Sequence, residues 1–169
     1  MIANGYSLWL MPKGEHYNKL ADLIRKLAVE YSAPIFEPHV TLVGEVPQIS
    51  EDKVIELTQN LVIGQKPFPL TLRQIDYQDF HFRALFVKAE VTDPLQSLHN
   101  RAKEIFGMDL PAYMPHLSLL YGNYPNEVKE KIIAEIGREQ RVEFEVDRVH
   151  LVKGGKVKDW LVVKEFLFK

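Results

Sequence analysis

The chain has 169 residues, 46% hydrophobic and 26% charged, with a formal net charge of -2. That length and balance suit one globular domain and exclude a disordered polymer or a chain drawn to nucleic acid by a global basic field. It has no cysteine, which excludes disulfides, thiolate metal sites and a cysteine nucleophile.

The first residues lack a basic segment followed by a long apolar run, and no stretch approaches the roughly 20 apolar residues of a membrane span. The expectation is a cytoplasmic protein with no membrane partner. No Asn-x-Ser/Thr sequon, P-loop or GxGxxG is present.

In chain order, Tyr6 to Met11 predicts a strand, stopped by Pro12 and Gly14. Leu20, Leu23, Ile24, Leu27, Ala28 and Tyr31 recur at helical spacing, and Ala33-Pro34 ends that helix. His39 to Val46 is β-branched and alternating, hence a strand. Ser50 caps a second helix bearing Val54, Leu57 and Leu61, closed by Gly64 and Pro67.

Phe68 to Tyr77 and Phe82 to Val91 are the next strands. Asp93-Pro94 starts a helix with Asp93 as N-cap, and Gly107 stops it. A strand from His116 to Tyr121 and a helix from Asn126 to Ile136 follow. Two last strands, Val142 to Val152 and Trp160 to Phe168, flank a Gly154-Gly155 turn.

The order is β-α-β-α-β, then β-α-β-α-β-β. Two halves, over 1–78 and 79–169, repeat one plan without a low-complexity linker. They are expected to form one two-lobed domain of the α+β class.

The middle strand of each half carries one phrase. The first is Pro38-His39-Val40-Thr41-Leu42-Val43-Gly44; the second is Pro115-His116-Leu117-Ser118-Leu119-Leu120-Tyr121-Gly122. Side chains alternate faces along a strand, so His39 shares a face with Thr41, and His116 with Ser118. Val40, Leu42, Leu117 and Leu119 take the opposite face and anchor against helices. If an approximate two-fold relates the halves, the polar pairs meet across a cleft.

That set suits the opening of a cyclic phosphate. Two imidazoles titrating near neutrality can divide the work of base and acid. Thr41 and Ser118 can donate to the oxygens on which charge grows. One His-x-Thr alone is better read as an incidental strand histidine. Two copies at equivalent places make a catalytic pair the expectation. Neither motif has a carboxylate or third histidine at metal spacing, so no metal or cofactor is expected. A Ser-His-Asp triad is disfavoured, since Ser118 lies two residues from His116 without nucleophile-elbow glycines.

At these residues the chain resembles the two-histidine phosphoesterase superfamily, whose mark is a duplicated His-x-Thr/Ser-x. Tyr6-Ser7-Leu8-Trp9 with Pro12, and Ser118-Leu119-Leu120-Tyr121-Gly122, are similar to the plant and yeast cyclic phosphodiesterases. The resemblance implies two lobes, each an antiparallel sheet with flanking helices, around a central groove. It implies metal-independent hydrolysis of ADP-ribose 1″,2″-cyclic phosphate or a nucleoside 2′,3′-cyclic phosphate. His116 would activate water and His39 protonate the leaving oxygen, although the near-symmetric sequence does not itself order the roles. Tyr121 would bind substrate, provided the chain bends before Gly122.

Trp9 can stack on a base or ribose; a core role suits Trp9 and Tyr121 equally. His81 reads as a turn histidine, His16 and His99 as solvated, and His150 as a strand residue lacking a hydroxyl partner. Lys153, Lys156 and Lys158 read as a soluble turn. The expected partner is a small cyclic nucleotide, met by a monomer. The rivals are an RNA 2′–5′ ligase or RNA-end phosphodiesterase, and a non-catalytic nucleotide-binding module.

Overall fold

The computed structural model describes residues 2–47 and 49–169. Among them, eight strands and four helices follow the punctuation of the sequence. They are β1 (Ala3–Leu10), α1 (Gly14–Glu30), β2 (Val40–Val46), α2 (Glu51–Leu61), β3 (Phe68–Asp76), β4 (Leu85–Ala89), α3 (Asp93–Phe106), β5 (His116–Leu120), α4 (Asn126–Ile136), β6 (Glu139–Val146), β7 (Arg148–Gly155) and β8 (Leu161–Leu167).

Ser50 caps α2 by accepting from the Lys53 amide at 3.3 Å, a contact worth about 1 kcal/mol. Gly107 ends α3 in the left-handed region at φ 61, where a Cβ is costly. The N-cap of α3 is Thr92 rather than Asp93, which opens the helix ahead of Pro94.

Residues 142–152, expected as one strand, form two. The chain turns at Asp147, whose carboxylate takes Lys13 Nζ at 2.5 Å and Arg148 Nε at 2.9 Å. Its carbonyl accepts from the Phe168 amide at 2.9 Å. Val146 and Val149 are both buried, so the apolar pattern gives no sign of the corner. β4 is shorter than expected because His81–Arg83 coil into a single 3₁₀ turn.

The strands form one antiparallel sheet in the order β6-β3-β4-β5-β2-β1-β7-β8. A single pairing at its centre, Val40 with Leu117, joins two four-stranded halves. The expected antiparallel sheets of the two lobes are thus continuous. The inner antiparallel pairs β1–β2 and β4–β5 are each bridged by one helix, α1 and α3, but the outer strands cross over. β3 joins β4 on the far half, and β7 returns to β1.

Helices cross as well: α1 packs on β5, and α3 packs on β2. Leu20, Ile24 and Leu27 of α1, with Leu95, Leu98 and Ala102 of α3, bury their stripes there. Val40, Leu42, Leu117 and Leu119 face this core and are buried.

His99, expected to be solvated, is 3% exposed. Its Nδ1 donates to the Leu42 carbonyl at 2.7 Å, and its ring stacks on Tyr113 at 3.8 Å. Because α3 packs on β2, a residue on its helical face meets backbone there instead of water. His16 is exposed, as expected.

Candidate active site

β2 and β5 lie side by side, so their two polar faces adjoin. His39, Thr41, His116 and Ser118 line one cleft of about 440 Å³. The register follows from alternation: each motif's apolar residues go to the helix layer, which leaves the imidazole and hydroxyl on the other face.

Both imidazoles are held in the same way. His39 Nδ1 bonds the Glu37 carbonyl at 2.6 Å, and His116 Nδ1 bonds the Met114 carbonyl at 2.9 Å. A carbonyl only accepts, so each Nδ1 carries hydrogen and each Nε2 is left to take or give a proton. Burial is the main reason that His39 is pushed down to about 4; the Glu37 carbonyl opposes this, and the charge of His116 adds to it. Burial also lowers His116, with Met114 opposing and the Arg83 charge adding.

The hydroxyls differ. Ser118 Oγ donates to the Phe82 carbonyl at 2.9 Å and is 6% exposed. Thr41 lines the cleft with no such bond for its hydroxyl among the described residues. Its backbone carbonyl accepts from Tyr113 at 3.0 Å, which pins the strand behind it.

Trp9 lies face to face with His39, ring centroids 3.6 Å apart and planes 7° off parallel. β5 ends at Leu120, so Tyr121 leaves strand parity and reaches the cleft, where its ring stacks on Phe36 at 3.8 Å. Gly122 permits that exit: at φ 145 its position has no room for a Cβ, which would sit 2.5 Å from the Tyr124 ring. Burial pushes the Tyr121 hydroxyl far up. Trp9 and Tyr121 are both core aromatics and cleft walls, so the two readings of each are compatible.

Two further cleft residues, Trp160 and Arg83, went unassigned from sequence, whereas Phe82, like Phe80, reads there as a core aromatic that could cover a base. Trp160 closes over the edges of Trp9 and His39, centroids at 5.4 and 6.1 Å, anchored by Nε1 donating to the Gly155 carbonyl at 3.2 Å. A lone tryptophan at the end of a lysine-bearing turn was the available signal. Phe82 supplies both the carbonyl for Ser118 and a ring against Tyr121 at 5.2 Å. Arg83 is a cationic residue on the cleft wall; nothing in its sequence neighbourhood marked it.

His81 sits in the 3₁₀ turn, perpendicular to Phe82 and off the cleft wall. His150 is a buried β7 residue paired across the sheet with Trp9, with Nε2 3.6 Å from Glu165. Lys153 lies 3.8 Å from Glu51, and none of the three turn lysines lines the cleft. No group of three His, Asp or Glu side chains among the described residues can hold a metal. Among the described residues, no helix is long and apolar enough to cross a membrane.

A duplicated histidine and hydroxyl on adjoining strands, in this fold, defines a two-histidine phosphodiester hydrolase. The chain belongs to the 2′-5′ RNA ligase superfamily, whose family model matches residues 15–158. It is 29% identical over 126 residues to a cyclic phosphodiesterase of Arabidopsis thaliana, covering 74% of this chain and 69% of that protein. It is 33% identical over 138 residues to a 2′,3′-cyclic-nucleotide 3′-phosphodiesterase of Phaeosphaeria nodorum, covering 72% and 71%.

Among solved structures, a phosphoesterase superposes with TM-score 0.70 at 13% identity over 99% of both chains. E. coli LigT complexed with NADP+ superposes with TM-score 0.66 at 14% identity over 99% and 98%. These two likenesses show the fold.

Proposed function

We propose that this chain hydrolyses the five-membered cyclic phosphate of a small nucleotide, such as ADP-ribose 1″,2″-cyclic phosphate or a nucleoside 2′,3′-cyclic phosphate, without a metal. One observation carries this: two imidazoles, each with its Nε2 uncommitted and a hydroxyl beside it, line a single cleft.

Water attacks phosphorus, one imidazole takes its proton, and the ring P–O bond breaks. The other imidazole protonates the departing oxygen, and a phosphomonoester remains. In the division the family resemblance implies, His116 is the base and His39 the acid. Burial holds free His39 neutral at pH 7, so the anionic substrate must raise its proton affinity on binding. Thr41 donates to a phosphate oxygen directly, and Ser118 does so once its hydroxyl swings from the Phe82 carbonyl. Trp9 and Tyr121 wall the sugar and base.

A small substrate is favoured over long RNA because the cleft wall carries a single formal cation, Arg83, and one carboxylate, Glu45. The chain acts as a monomer in this reading.

The test is a panel of cyclic phosphates followed by phosphorus NMR, with and without chelator. Turnover to one phosphomonoester, unchanged by chelator and lost in His39→Ala and His116→Ala, is the expected result. Strict dependence on added divalent metal, or no turnover of any cyclic phosphate by the unaltered protein, overturns it.

A further inference from the structure

Arg83 forms no ion pair with a carboxylate among the described residues. Nη1 donates to Gln78 Oε1 at 3.0 Å, and the guanidinium sits over the Phe80 ring, 5.0 Å from its centroid. Nε and Nη2 keep their hydrogens unbonded, so a planar fork suited to a phosphate is left open.

Arg83 lines the cleft, near enough to His116 for its charge to act on that ring. Phe80, its platform, is 43% exposed, an unusual place for a bare phenyl ring. Phe80 lines both the cleft and a second cavity of about 390 Å³. That cavity has a mixed lining: Gln78, Asp79, Asn123 and Lys129 beside the rings of Phe80 and Tyr124. The Asp79 carboxylate there is already matched by the buried Lys129 ammonium at 2.7 Å, which also bonds the Gln78 carbonyl at 3.2 Å. The segment that carries Arg83 is therefore fastened from below, and its neighbouring carboxylate is compensated.

The ring phosphate has its own partners in two imidazoles and two hydroxyls. Resting on the reaction proposed above, we propose that Arg83 binds a second anionic group of the substrate. The preferred substrate is then a nucleotide with a further phosphate besides its cyclic one, lying across Phe80 toward the second cavity.

Two matched pairs test this. The first is adenosine 2′,3′-cyclic phosphate with and without a 5′-phosphate, compared by kcat/KM. The second is adenosine 2′,5′-bisphosphate against 2′-AMP, compared by calorimetric Kd, which needs no turnover.

The unaltered protein should favour the 5′-phosphorylated member of each pair by roughly 10- to 100-fold, the span of a charge-assisted contact. Arg83→Met should bring both ratios to about one, and Arg83→Lys should keep part of the preference. Equal losses on both members, with the ratio intact, would place Arg83 on the ring phosphate and overturn the inference, as would an unaltered protein without preference. Absent turnover with the binding preference intact would sink the proposed reaction and leave the anion site standing.

Discussion

His39 lies flat beneath Trp9, while His116 meets Phe86 at 5.0 Å with the planes 60° apart. Trp9 and Phe86 hold matching stations: Trp9 pairs with Thr41 across β1 and β2, and Phe86 with Ser118 across β4 and β5. His39 is further enclosed by the edges of Phe36 and Trp160. His116 is only partly buried and feels the charge of Arg83. Equal spacing along two strands thus fixes where the imidazoles point, while different neighbours set how readily each holds a proton. Taken alone, that difference would make His39 the readier base, so the acid role that the family resemblance gives it depends on the bound anion raising its proton affinity.

The most severe way to break the comparison is to remove either ring. His39→Ala and His116→Ala should each lower kcat on a cyclic phosphate by about 10²–10⁴, and the double variant little further, since the pair acts as a unit. A single variant with near-normal turnover would confine the chemistry to one motif.

The hydroxyls sharpen it next. Thr41→Val should cost up to about 10² in kcat with little change in stability. Ser118→Ala should cost less in rate but about 1 kcal/mol in urea denaturation, because the part-buried Phe82 carbonyl loses its donor. Matching profiles for the two variants would erase the asymmetry.

The pH dependence of stability comes third. Folding lowers His39 from 6.5 to about 4, so the unfolded chain binds a proton that the folded one refuses. The stability this provides is whole above pH 6.5 and is lost as pH falls toward 4, in total on the order of 3 kcal/mol. Denaturant midpoints should fall across that window, and His39→Gln should flatten the descent.

The smallest effect separates the two aromatic neighbours. Trp9→Leu opens the His39 face, and its proton affinity in an NMR titration should rise by about one unit. Phe86→Leu should move His116 by less. Equal shifts would show that depth in the protein, and not the stacked indole, governs His39.

Much of the site was legible in the sequence because alternation along a strand is local. Pro38 to Gly44 and Pro115 to Gly122 announced which residues share a face, and all four polar ones line the cleft. Helix ends at Gly107 and Gly137 were legible for the same reason. What escaped was long-range. Asp147 turns the chain because Lys13 and Phe168 meet it there, and neither is near in sequence. His99 is buried because α3 crosses to the other half of the sheet. Trp160 belongs to the cleft because β8 follows β7 back to β1.

By itself, then, the sequence determined most of the elements, though not the break at Asp147, together with the duplicated motif and the face on which each motif residue stands, since backbone periodicity and capping act over a few residues. Tertiary structure alone decided the crossing of the outer strands, the stacking of Trp9 on His39, the place of Arg83 on the cleft wall and the different surroundings of the two histidines. Those depend on which side chains, remote along the chain, exclude water from one another, and burial of that kind is written in no local pattern.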